Sequence, residues 1–463
     1  MAVVAVALVP HPPILLEAVG GAESRRVQAT QQALGELGRR LSAMALEALV
    51  MITPHGPVFR DAVAIWGLDR LDGDLSSFGA KGVSFQVPGD LELARATGQE
   101  ARRLGVRTIW LDRPTARRHG VQVGLDHGLM VPLYFLVAQG IMTPLAAVSS
   151  AFLPVEDLYR FGQAIRRAAE VLGRRVAVVA SGDLSHRLTP DAPAGFSPRG
   201  AEFDRLIQAA LTRGDPWAVL QVDPESAEAA GECGWRSLIM ALGALEGQRF
   251  KADLLSYEGP FGVGYAVAHL EPLPEAREEL LPRIKQFRED RRRAESPPVA
   301  LARRSLESYI RQGQVIDPPD PLPGVLQQPA GAFVSLKVSG QLRGCIGTIG
   351  ATRPNLALEI IHNAIAAATD DPRFPPVEPE ELDTLSYSVD VLGQPEPVSG
   401  PDELDPQRYG VIVSHAGRSG LLLPALAGIE EVEAQVRIAM RKADIPAGTP
   451  GVKLQRFTVI RYY

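Results

Sequence analysis

Residues 3–11 read Val-Val-Ala-Val-Ala-Leu-Val-Pro-His, and residues 48–55 read Ala-Leu-Val-Met-Ile-Thr-Pro-His. Each is an apolar run without polar alternation, the pattern of a parallel strand covered on both faces. Each closes on a proline-histidine pair, Pro10-His11 and Pro54-His55. In open α/β sheets ligands bind beyond the carboxyl ends of the strands, so two imidazoles released there can converge on one site. Between the runs, Glu23 to Leu49 spaces leucines among Arg, Gln, Glu and Ala, an amphipathic helical pattern that makes the segment a βαβ unit. The alternation recurs as a helix around Leu91 to Leu104 before Thr108 to Leu111, and a helix around Val155 to Leu172 before Arg175 to Ala180. The expected N-terminal fold is α/β, a mostly parallel sheet covered by helices.

The chain has 463 residues, room for two or three domains at about 150 residues each. Two cysteines, Cys233 and Cys345, exclude a disulfide framework and point to a reducing, cytoplasmic compartment. With 54 acidic against 48 basic side chains there is no electrostatic footprint for nucleic acid. The apolar start, Ala2 to Leu16, lacks a basic leader and is broken by Pro10, Pro12 and Pro13, so it reads as strand and loop rather than signal peptide. No membrane span is expected, because no apolar run reaches about 18 residues.

From Glu271 to Pro298 the composition turns charged, with Arg291-Arg292-Arg293 and a closing Pro297-Pro298, and is read as a connector with a solvated helix face. It divides an N-terminal domain, residues 1–270, from a C-terminal domain, residues 299–463. Beyond it, a helix at Val299 to Arg311 precedes a hairpin, Ala332 to Val338 and Gln341 to Ile349, turning at Ser339-Gly340. Leu385, Tyr387, Val389 and Val391 alternate with Ser386, Ser388 and Asp390, as in a strand with one wet face. Val411 to Ser414 and Leu421 to Leu423 form a second hairpin, so the C-terminal domain is expected to be α+β with antiparallel hairpins.

Neutral imidazole suits Zn, Fe, Cu and Ni, and two His with one carboxylate leave the open positions that a non-haem Fe(II) centre needs. Three further segments join the pair: Asp126-His127-Gly128 with Val131-Pro132-Leu133, Ser181-Gly182-Asp183-Leu184-Ser185-His186, and Gly231-Glu232-Cys233-Gly234-Trp235, which opens a helix from Arg236 to Leu245. With these segments, residues 1–270 resemble the class III (LigB-type) extradiol ring-cleavage dioxygenase superfamily, which includes the Memo-like proteins. The resemblance implies His11 and His55 as metal ligands, His186 as acid/base and His127 as a substrate-side histidine. Dioxygenases of the family place a glutamate as third ligand and Memo-like proteins a cysteine; this chain has Glu232 and Cys233 side by side. Consecutive helical residues point about 100° apart, so one ion takes one of them. Glu232, the preferred candidate, gives an Fe(II) site; Cys233 gives a softer one for copper or zinc.

In the C-terminal part, Leu342-Arg343-Gly344-Cys345-Ile346-Gly347-Thr348 puts Arg343 and Cys345 two apart, on one face of a regular strand, and its glycines suggest a bulge or a close backbone approach. With Thr369 to Pro376 and Gly420 to Pro424, this stretch resembles the AMME syndrome candidate protein family, AmmeMemoRadiSam system protein A in bacteria, over residues 299–463. That implies a cleft around Cys345, with Arg343 able to favour its thiolate; His362 and His415 lie in the same domain. The leading expectation is an oxidoreductase of the dioxygenase type, with Fe(II), or Cu or Zn, acting on a catecholic or related aromatic substrate. The alternatives are a metal-binding or scaffold partner of a radical SAM enzyme without dioxygenase activity, and hydrolysis by Zn-bound water.

Overall fold

The computed structural model describes residues 1–426, 429 and 431–463. They divide into two compact units, residues 1–288 and 289–463.

The first unit is built on an eight-stranded sheet. Its strands are β1 (Val3–Val9), β2 (Ala48–Thr53), β3 (Val63–Trp66), β6 (Thr108–Leu111), β7 (Leu145–Ser149), β8 (Val176–Ser181), β9 (Gln248–Glu258) and β10 (Tyr265–Ala276), while β4 (Arg70–Leu75) and β5 (Ala80–Pro88) form a separate two-stranded ribbon. The order is β6-β3-β7-β2-β8-β1-β10-β9. The central β7, β2, β8 and β1 are mutually parallel, β10 and β9 add antiparallel strands at one edge, and β3 meets β7 antiparallel. Every residue of those four parallel strands is buried. Their alternate side chains feed two cores: Val6, Leu8, Val50, Ile52, Val178 and Ala180 on one face, Ala7, Val9, Leu49, Met51, Ala177 and Val179 on the other. Burial on both faces explains why these strands read as unbroken apolar runs.

Helices cover the faces as expected at Gln28–Ser42, Leu91–Arg103, Val155–Leu172 and Trp235–Gly243, and one more, His127–Ala138, is apolar all round and left no amphipathic signal in the sequence. The long helix expected from Glu23 is divided, Gly21–Val27 being 3-10 and the α-helix starting at Gln28. At their carboxyl ends the strands turn polar without becoming exposed: Thr53, Ser149 and Ser181 are all fully buried. A buried hydroxyl at a strand exit must find partners inside: Thr53 and Ser181 bond the segments above the sheet, and Ser149 accepts from Ala64 of the neighbouring β3.

The charged segment after Glu271 is more ordered than a connector. Strand β10 runs through it to Ala276, and a helix spans Leu281–Arg293. The start of that helix is tied to the first unit. Glu246, 2% exposed, accepts from the backbone N–H groups of Leu280 and Leu281, each at 3.0 Å, and from the Tyr159 hydroxyl at 2.5 Å. Arg288 pairs with buried Glu156 at 2.9 Å, and the Arg283 guanidinium lies 4.0 Å over the Trp217 ring. Periodicity could not show this, because the anchoring acids lie some 35 and more than 120 residues upstream.

In the second unit β11 (Ala332–Val338), β12 (Gln341–Gly347), β13 (Leu385–Leu392) and β18 (Val459–Tyr462) form one antiparallel sheet in the order β12-β11-β13-β18. A second, β14-β17-β15-β16, comprises β14 (Glu396–Val398), β15 (Gly410–His415), β16 (Arg418–Leu422) and β17 (Lys453–Phe457). Strand β13 differs from the wet-faced strand expected. It lies inside its sheet, Ser388 and Asp390 are buried, and Asp390 takes a two-pronged pairing from Arg461 at 2.6 and 2.9 Å. Among the described residues, no helix is long and apolar enough to cross a membrane.

Candidate metal centre

Three strand exits and two helix starts meet above the carboxyl end of the first sheet. His11 follows β1, His55 follows β2, His127 opens the helix behind its N-cap Asp126, His186 follows β8, and Cys233 precedes the helix Trp235–Gly243. The Nε2 atoms of His11 and His55 are 2.8 Å apart, and Cys233 Sγ is 3.6 Å from His11 Nε2. The His127 ring stacks on His55 with centroids 4.3 Å apart, and Phe78 covers His127 from outside at 5.2 Å.

A chain of contacts fixes the orientation of His11. Pro132 lies inside the helix His127–Ala138 and has no N–H, so the Gly128 carbonyl one turn earlier keeps no helical partner. That carbonyl accepts the Ser181 hydroxyl at 2.5 Å. With its proton so committed, Ser181 Oγ accepts from His11 Nδ1 at 2.8 Å, and the His11 Nε2 lone pair is left facing His55 and Cys233. Pro132→Ala restores a competing N–H and is expected to weaken metal binding by up to about tenfold, the low end of outer-shell effects. Metal titration of the variant checks this, an unchanged affinity contradicting the chain of contacts.

Cys233 arrives by a close backbone approach. A Cβ on Gly182 would lie 2.1 Å from the Gly234 Cα, so only paired glycines let the two loops touch. The contact is sealed by the Cys233 and Gly234 N–H groups donating to the Asp183 carbonyl at 3.3 and 2.9 Å. In return the Asp183 N–H points at Cys233 Sγ, 3.2 Å away.

Glu232, the preferred third ligand in the sequence, is not brought to the histidines. Its carboxylate turns back along the following helix, accepting from the Trp235 N–H at 2.5 Å and lying 3.5 Å from Arg236 Nη1. Burial raises its carboxyl to about 7, against the opposing pull of Arg236 and the Trp235 N–H. The two neighbours point apart in the loop before the helix, and the helix start needs an acceptor, so the glutamate is held there.

The set fits a cation. Tetrahedral bonds of 2.0–2.1 Å to nitrogen and 2.3 Å to sulfur place N···N at about 3.3 Å and N···S at about 3.6 Å; the N···S distance matches, and the N···N is about 0.5 Å shorter. Burial holds His11 neutral, well below its ordinary value, with His55, His127 and His186 adding to the effect. Burial likewise lowers His55 to about 4, and it pushes the Cys233 thiol well above its ordinary value, so a thiolate here needs a metal ion beside it. His11, His55 and Cys233 would hold it.

His186 borders the site. Its Nδ1 contacts the Gly231 carbonyl at 2.7 Å, which makes Nδ1 the donor and turns the Nε2 lone pair inward. Its loop is braced by Asp204, which accepts from the Ser185 N–H at 2.8 Å and from Tyr257 at 2.6 Å. Asp183 and Asp204 carried no sequence signal as site residues; only Asp183 falls within a quoted motif.

The C-terminal candidates lie in the other unit. The strand bulges between Leu342 and Gly344, which leaves Arg343 out of the pairing and breaks the alternation that would put it on the Cys345 face. Buried Arg343 instead grips Glu381 at 2.7 and 2.9 Å and the Pro375 and Pro376 carbonyls at 2.9 and 3.1 Å. The guanidinium beside Cys345 is that of Arg373, held by Asp371. Burial raises the Cys345 thiol, and Ser335 donates to its sulfur at 3.3 Å. Arg343 is therefore a structural clamp rather than the thiolate's counter-charge. His362 lies in the helix Leu356–Thr369 and His415 at the end of β15.

Two family descriptions match the chain: the catalytic LigB subunit of aromatic ring-opening dioxygenase over residues 5–268, and AMMECR1 over residues 299–462. Protein CA_C1420 of Clostridium acetobutylicum is 39% identical over 460 residues, 98% of each chain. A Thermotoga maritima protein is 56% identical over 170 residues, 36% of this chain and 98% of its own. Among solved structures, the uncharacterized protein PH0010 of Pyrococcus horikoshii is 36% identical, covering 35% of this chain and 88% of its own with a TM-score of 0.34.

Proposed function

We propose, for a chain that belongs to the LigB family through residues 5–268 and continues into an AMMECR1 domain, a metal-dependent oxidoreductase acting on a hydroxylated aromatic compound. The observation that carries it is the convergence of His11 Nε2, His55 Nε2 and Cys233 Sγ at the carboxyl end of the sheet. A thiolate in the third position favours copper, zinc or iron over harder cations. Bound there, a copper or iron ion would supply redox chemistry and Lewis acidity beside the substrate's oxygens.

The chain's own residues supply the rest. His186 Nε2, its lone pair directed inward, takes a proton from a substrate hydroxyl and returns it later in the cycle. His127, stacked on His55 and met by the tilted Phe78 ring, puts aromatic surface beside the site for a substrate ring. Burial of the His11, Ser181 and Asp183 layer limits water beneath the site.

A second reading is favoured by the cysteine and the fused AMMECR1 domain: a metal-carrying partner of a radical SAM enzyme, without oxygen chemistry. Protein reconstituted anaerobically with Fe(II), Cu(I) or Zn(II) and then given oxygen and catechols separates the two. Oxygen uptake with a redox metal, cut about a hundredfold or more in His186→Ala with the ion at His11, His55 and Cys233 retained, supports the oxidoreductase. Tight metal binding with no uptake for any metal overturns it in favour of the carrier.

A further inference from the structure

The pocket holds a second set of ligand atoms that the proposed reaction leaves unused as ligands. Asp183, His186 and Cys233 each turn one ligand atom into it, all three within 4.8 Å of one another. Asp183 is 4% exposed; its Oδ1 accepts from the His11 N–H at 3.0 Å, and its Oδ2 lies toward His186 Nε2 at 3.9 Å, beyond hydrogen-bond length. The tautomer that the Gly231 carbonyl imposes leaves that Nε2 with a lone pair. A carboxylate oxygen and an imidazole lone pair facing each other at that distance, beside a sulfur, form a cation-shaped gap rather than a hydrogen bond.

The guanidinium contacts described beside this set go to other groups: Arg187 donates to the Ala194 and Ala229 carbonyls, and Arg236 lies against Glu232 and the Phe152 ring. A metal-bound thiolate keeps lone pairs enough to bridge two ions.

We propose that Asp183, His186 and Cys233 form a second divalent-cation position, weaker than the His11–His55–Cys233 position and sharing its thiolate. Resting on the oxidoreductase reading, it is inhibitory: an ion there occupies the Nε2 lone pair that His186 needs for proton transfer. Excess Zn(II) thereby switches off an enzyme already loaded at the first position.

The test is equilibrium dialysis of the full chain against Zn(II), with metal counted per chain, and parallel Co(II) titrations followed by electron paramagnetic resonance. Two Zn(II) per wild-type chain are expected, falling to one in Asp183→Asn and one in His186→Ala. Asn keeps an oxygen for the His11 N–H, and His186→Ala reports independently should Asp183→Asn not fold. The second Co(II) equivalent should diminish the signal of the first through the shared sulfur, an effect lost in both variants. One Zn(II) in wild type, kept in both variants and lost in His11→Ala, overturns the second position and leaves the first standing. No Zn(II) in wild type overturns both.

Discussion

Replacing Cys233 by alanine should cost the protein its metal, and replacing Glu232 by alanine should not. Cys233 is one of three atoms that close around a common point, with its sulfur 3.6 Å from His11 Nε2. Removing one of three ligands should lower affinity by about a hundredfold to a thousandfold, beyond the 10–100-fold typical of outer-shell changes. His55→Ala should behave alike. Glu232 holds the Trp235 N–H and lies near Arg236, so its truncation should instead lower stability by about 2–3 kcal/mol. Anaerobic metal analysis with urea unfolding reads both effects. A Glu232→Ala protein that folds normally but has lost its metal would return the glutamate to the site.

Glu246→Ala should destabilise the first unit by about 3–5 kcal/mol, because it leaves three donors without an acceptor at about 1–3 kcal/mol each, partly relieved by relaxation. One carboxylate serves the Leu280 and Leu281 N–H groups and the Tyr159 hydroxyl, and alanine leaves all three unanswered in a closed interior. The helix Leu281–Arg293 would lose the acceptor at its first turn, leaving the buried Ile284 and the Glu156 and Trp217 contacts to hold it. All four tryptophans, Trp66, Trp110, Trp217 and Trp235, fall in this unit, so urea unfolding followed by tryptophan fluorescence reports on it separately. A midpoint within about 0.5 kcal/mol of wild type would show that the helix docks through its other contacts.

The sequence by itself determined the sheet and the strand ends at which its histidines gather. Burial on two faces leaves an unbroken apolar run, and β1 and β2 kept that signature up to the prolines that release His11 and His55. The antiparallel hairpins of the second unit announced themselves as plainly, because turn residues such as Ser339 and Gly340 take positive φ where the chain reverses. Such features are local, written in neighbours a few positions apart. The choice between Glu232 and Cys233 was not local. It depended on Gly182 meeting Gly234 from 52 positions away, and on a helix start that claimed the glutamate. The orientation of His11 depended on a proline in another helix, and the role of Arg343 on a bulge and on Glu381 across the domain. Adjacent residues share a sequence context but not a direction, and only long-range packing decides which of two neighbouring side chains reaches the pocket.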